Sequence, residues 1–169
     1  IIGGAILFGA LVQPALAAAP VDWSGCAVPV FGADKRAIIA ACTAVLNRLD
    51  LIDADRVRAL AARGRTFDMA GDADAAIRDL DQAIKLAPAD AELRVRRGWV
   101  AYGLRQFDEA MGFARRALAL DPQHQSAFTL LGAAASTTRK FAIGKASLDK
   151  AVEIKPADVV ARLERFAFF

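Results

Sequence analysis

The chain has 169 residues, with 22 basic and 19 acidic side chains, a formal net charge of +3, two Cys and one His. Acidic and basic residues are mixed, with no basic run and no basic stripe interleaved with aromatics, so the chain carries no nucleic-acid footprint. Cys26, Cys42 and the distant His124 fall short of a four-ligand zinc set, and no metal or other cofactor is expected.

Residues 1–19 are uncharged and apolar, with Pro14 followed by Ala15-Leu16-Ala17-Ala18-Ala19. An apolar run ending in small residues reads as a secretory signal peptide over residues 1–18, cleaved after Ala17 or Ala18. It lacks an initiator Met and a basic leading segment, so it is read as clipped at its start. The alternative is an uncleaved membrane anchor, for which the stretch is barely long enough. A leader implies export to a bacterial periplasm or the medium. In that oxidising setting Cys26 and Cys42 read as one disulfide, the alternative being two free buried thiols.

Residues 20–56 form an N-terminal cap and a degenerate first unit. Ala37 to Leu46 has helical spacing, and the irregular Asp22-Trp23-Ser24-Gly25-Cys26 stands where a preceding helix would be. The disulfide would pin that segment to the helix.

From residue 57 the chain repeats every 34 residues, in units 57–90, 91–124 and 125–158. Pro88, Pro122 and Pro156 share one column; Gly64, Gly98 and Gly132 share another; Ala76, Ala110 and Gly144 share a third; Ala83, Ala117 and Ala151 a fourth. Each unit splits into two helical stretches. The first unit runs 57–70 and 74–86, broken at Gly71-Asp72. The second runs 92–104 and 108–120, broken at Arg105-Gln106. The third runs 126–138 and then from Arg139-Lys140 to Ile154. Proline ends each second helix because it lacks an N–H and clashes with the preceding turn. The small columns let two helices approach closely, and stacked hairpins share a core that one hairpin alone cannot bury. Two apolar columns are interrupted, by Arg94 at the fourth place and by Arg63 and Arg97 at the seventh. Their long stems can snorkel over a neighbour's surface.

Val159 to Phe169 begins like the first helix of a further unit, with Phe166 where Gly is expected. It reads either as a lid on the preceding unit or as the start of a truncated repeat. Its apolar end invites self-association.

The 34-residue period, with small residues at the eighth, twentieth and twenty-seventh places and Pro at the thirty-second, resembles the tetratricopeptide repeat over residues 57–158. The resemblance implies an all-α, right-handed solenoid of stacked helix-turn-helix repeats. It also implies a concave groove for a peptide, lined from the second, fifth, ninth and twelfth places of the first helices. Those places hold Arg58, Ala61, Arg65 and Asp68; then Glu92, Val95, Trp99 and Tyr102; then Ser126, Thr129, Ala133 and Ser136. Arg58 and Arg65 offer planar forks for a carboxylate, and Trp99 is an anchor type common at interfaces. The competing role for Trp99 is packing between units. The family's clamp for chaperone tails uses Lys and Asn at groove places where this chain has Ala61, Arg65, Val95 and Trp99, so that specificity does not carry over.

No GxxxxGK[ST], GxSxG or HExxH motif occurs, and His124 falls on an expected solvated loop between units. The expected function is therefore a non-catalytic interaction module for a protein or peptide partner, with an acidic or C-terminal segment as a candidate ligand. The alternative is an assembly subunit that self-associates through its C-terminal helix.

Overall fold

The computed structural model describes residues 20–26 and 32–167. The expected leader and the last two Phe lie outside the described residues. Within them the fold is an all-α repeat solenoid: α1 (Lys35–Leu46), α2 (Asp53–Ala70), α3 (Ala73–Leu86), α4 (Ala91–Gly103), α5 (Phe107–Leu120), α6 (Gln125–Thr137), α7 (Phe141–Ile154) and α8 (Val159–Ala167). Hairpins α2–α3, α4–α5 and α6–α7 stack in chain order, with α1 packed on α2 and α8 on α6 and α7.

The period has a backbone cause at both ends of each second helix. Within each hairpin the first helix closes with a Schellman bond, Asp72 N to Phe67 O at 3.0 Å, Gln106 N to Ala101 O at 2.9 Å and Lys140 N to Ala135 O at 2.8 Å. Gly71, Arg105 and Arg139 take the left-handed conformation that this motif requires, with φ of 85°, 62° and 59°. Only Gly71 adopts it without a Cβ penalty. Aspartates cap the starts of α3, α4 and α8, where Asp72 accepts from Ala75 N, Asp90 from Leu93 N and Asp158 from Ala161 N, while α5, α6 and α7 start without a side-chain cap.

The small columns mark where helices touch. A Cβ on Gly98 would stand 2.5 Å from Leu130 Cδ2 and 2.9 Å from Phe113 Cβ. Ala76, Ala110, Ala83, Ala117 and Ala151 are fully buried. Leu60, Leu80, Met111, Leu130 and Leu148 are the largest of the fully buried side chains in the core between the helices. Burying each is worth about 1.5–3 kcal/mol.

The interrupting arginines behave differently from the snorkelling expected of them. Arg97 is 7 % exposed and lies between Asp81 and Glu109, at 3.1 and 3.2 Å, over the Phe113 ring. Arg63 makes a two-pronged pair with Asp79, at 2.7 and 2.8 Å, and donates to Thr43 Oγ1 at 2.9 Å. These guanidiniums link successive helices where other units use apolar contacts. The helix α4 is unbroken despite its arginines. Their partners at Asp79, Asp81 and Glu109 belong to α3 and α5.

Cys26 and Cys42 are joined in a disulfide, both buried, with Cα atoms 4.5 Å apart. Val21, Trp23, Ile38, Ala41 and Leu46 pack around them. The irregular segment thereby covers the end of the stack beside α1 and α2.

Candidate functional site

The first helices of the hairpins line an open cleft of about 460 Å³. Its floor is apolar: Val95, Leu80 and Val100 are each at most 2 % exposed. Trp99 of α4 forms one wall, half-buried and packed edge-to-face on Tyr102 with centroids 5.4 Å apart. Arg65, Asp68 and Met69 of α2 form the opposite rim, and Ser126 of α6 closes one end. Leu80 reaches the floor from α3, so the cleft forms only where α2, α3, α4 and α6 meet.

Two charges of the rim are unpaired among the described residues. Arg65 is exposed and has no carboxylate within ion-pair distance. Asp68 is exposed as a residue, yet packing around its carboxyl raises its pKa above the ordinary carboxylate value, because desolvation disfavours the ion. The second cation, Arg96, is held by Glu92 one turn away at 2.9 Å. His124 Nε2 stands 3.5 Å from the other Glu92 oxygen. His124 is therefore half-buried at the start of α6, not on the solvated loop expected of it.

A second cleft of about 390 Å³ adjoins the first and shares Glu92 and Arg96 with it. Cys26, Val57, Arg58, Ala61, Asp90 and Leu93 also line it. The Arg58 guanidinium lies 4.1 Å from the centre of the Trp23 ring.

Of the residues expected in a groove, Arg65, Asp68, Val95 and Trp99 meet in the larger cleft, and Arg58 lies in the smaller. Tyr102 lines neither; its ring sits between Trp99 and Phe107, and its hydroxyl is 3.4 Å from Thr137 Oγ1. Thr129 is buried, with its hydroxyl bonded to Gln125. The backbone explains this end: Ser136, Thr137 and Thr138 also turn their hydroxyls onto carbonyls of α6. Met69, Arg96 and Trp23 were not expected. Arg96 and Met69 fall off the stripe of groove places, and Trp23 lies outside the repeat register altogether.

The lining offers charge, hydrogen bonds and apolar area. Among the described residues no three His, Cys, Asp or Glu stand close enough to hold a metal ion. None of the helices there is long and apolar enough to cross a membrane.

The family model described as "Tetratricopeptide repeat" matches residues 69–135. No curated protein matches the chain. Among solved structures, the first TPR of Spaghetti (RPAP3), bound to the HSP90 peptide SRMEEVD, is 21% identical, with a TM-score of 0.64. That match covers 72% of this chain and 95% of the other. The second TPR domain of human RPAP3, in complex with the HSP70 peptide SGPTIEEVD, is also 21% identical at a TM-score of 0.64, covering 69% and 98%. MamA is 23% identical at a TM-score of 0.67, covering 80% of this chain and 77% of its own. At these identities the likeness shows a shared fold.

Proposed function

We propose that this tetratricopeptide-repeat protein is a non-catalytic interaction module that holds a peptide segment of a partner in the cleft between α2, α4 and α6. Repeats of this kind bind partner peptides, as the two RPAP3 domains do in their structures. One observation carries the reading for this chain. A half-buried Trp99 flanks an apolar floor while Arg65, unpaired among the described residues, stands on the opposite rim, so the cleft presents an anchor pocket beside an available cation. An apolar side chain would pack against Trp99 and Met69 over this floor, and an acidic neighbour would meet Arg65.

The disulfide supports export to an oxidising compartment, periplasmic or extracellular, since such bonds persist there and are reduced in the cytosol. Fractionation with detection of the Cys26–Cys42 linkage tests this, and a reduced, cytosolic protein would contradict it.

A second reading rests on α8. Val159, Val160, Leu163 and Phe166 are each more than half exposed, from 54% to 81%. A face of that kind suits self-association. Sedimentation with and without residues 159–169 separates the readings: a monomer in both cases removes the second.

The direct test of the first reading is titration with an N-acetylated, C-amidated peptide carrying Leu beside one Glu, followed by Trp99 emission in a Trp23→Phe protein. Saturable quenching is the expected result, together with loss of the binding heat by titration calorimetry in Trp99→Ala, with the melting curve unchanged in shape. Binding that survives Trp99→Ala would place the ligand elsewhere.

A further inference from the structure

The smaller cleft is not built from repeats alone. One side is the disulfide-pinned cap, where Cys26 contributes to the lining and Trp23 supports Arg58. We infer that this cap cleft is a second, carboxylate-binding subsite, so that the protein reads a segment with two carboxylates three residues apart. The inference rests on the peptide-binding reading of the larger cleft and extends it.

The charge arrangement argues for the chemistry. Four charged side chains line the cap cleft: Arg58, Arg96, Asp90 and Glu92. Asp90 is committed to the start of α4, accepting from Leu93 N at 3.1 Å. Glu92 and Arg96 hold each other at 2.9 Å. Arg58 remains, with no carboxylate of the described residues in ion-pair reach. Its guanidinium lies on an aromatic face, which holds the plane of the fork while leaving its edge N–H groups for an acceptor. A carboxylate is the ligand that matches this fork in two-pronged fashion.

The spacing argues for the length. Arg58 and Arg65 are seven residues apart on α2, two helical turns, so their backbone positions lie about 10.5 Å apart along one face. A polyproline-type extended segment returns every third side chain to the same side after about 9.3 Å. One carboxylate at Arg65 therefore places a second, three residues away, at Arg58. The backbone between them passes Arg96 and Glu92, the pair common to both clefts. That pair is a partly exposed one between neighbouring turns of α4, so a passing polar group can rearrange it.

The two Trp residues give each cleft its own reporter: Trp99→Phe leaves Trp23 at the cap, and Trp23→Phe leaves Trp99 at the larger cleft. Amidated peptides carry Leu beside one Glu, with a second Glu two, three or four positions away, or Gln in its place. A further peptide has one Glu and ends in a free carboxylate three positions on, which tells a chain terminus from a side chain as the source. The three-position diacid is expected to bind about tenfold tighter than the single-Glu peptide and to move both Trp signals at one midpoint. The single-Glu peptide should move Trp99 alone. Arg58→Gln should remove the tenfold advantage of the three-position diacid over its Gln-containing counterpart. Should that variant fold poorly, the peptide series on the wild-type protein decides by itself. Equal affinity for diacid and single-Glu peptides overturns the cap subsite and leaves the larger cleft standing. If no peptide moves Trp99, both readings fall together.

Discussion

Replacing Asp79 should destabilise this fold far more than its place on a helix surface suggests. The side chain is 8% exposed, and both its oxygens are taken by Arg63, at 2.7 and 2.8 Å. Arg63 is 19% exposed on its side chain and also donates to Thr43 at 2.9 Å, joining α1, α2 and α3. Asp79→Ala leaves that guanidinium without its carboxylate in a place water reaches poorly. Breaking a buried pair costs about 3–5 kcal/mol; the residual exposure of Arg63 lowers this to roughly 2–3 kcal/mol. In a domain of this size that corresponds to a melting point lower by roughly 5–10 °C. The double replacement Arg63→Met with Asp79→Leu removes both charges and keeps the volume, so it should recover most of the loss. Thermal and urea denaturation of the single and double variants, read as a double-mutant cycle, gives the coupling directly. An Asp79→Ala protein within about 0.5 kcal/mol of wild type would refute the reasoning, since the pair would then behave as a solvated surface contact.

The cap and the turns are testable in the same assay. Replacing both Cys26 and Cys42 with Ser should cost about 3 kcal/mol in the chain-entropy account for a loop of this length, with non-reduced peptide mapping confirming the bond in the parent. Arg139→Gly should stabilise the protein by about 0.5–1 kcal/mol, because Gly enters the left-handed turn without the Cβ penalty and gives back part of the gain as chain entropy; a loss of stability would mean that the Arg139 side chain makes a contact that matters. Asp68 has a carboxyl whose folded-state pKa is raised by desolvation. The folded state thus favours the neutral acid, a contribution present below the unfolded pKa and lost as pH rises through the folded one. Asp68→Asn should therefore be more stable than wild type at pH 7 and equal to it near pH 3; a variant less stable at pH 7 would reverse the sign.

Much of the architecture was legible because the period is enforced by backbone chemistry. Pro88, Pro122 and Pro156 stop helices wherever they occur, and the glycine column is dictated by contacts as short as the 2.5 Å that a Cβ on Gly98 or Gly132 would make. The helix pairs in residues 57–154 fall within a few residues of where spacing places them. The cleft was legible only in part. Arg65, Asp68, Val95 and Trp99 follow from the register, since positions on one helix face project to one surface. Tyr102 and Thr129 share that register and still miss the cleft, because an aromatic stack draws one aside and a bond to Gln125 holds the other inside. Arg63 and Arg97 interrupt an apolar pattern, and their partners sit in other helices at separations of 12 to 16 residues, which no local pattern reveals. The stacking of Trp23 on Arg58 depends on where the disulfide brings the cap, so it had no sequence signal of its own.

The central claim is that the face shared by α2, α4 and α6 holds a peptide through Trp99 and Arg65. The most direct measurement is amide chemical-shift mapping by NMR of the wild-type protein with the single-Glu, Leu-containing peptide, repeated on a Trp99→Ala protein of matched melting point. The account predicts saturable shifts concentrated at Arg65, Asp68, Met69, Val95, Arg96, Trp99 and Ser126, and their loss in the variant. Shifts centred on α3, α5 or α8, or shifts that persist without Trp99, would contradict it.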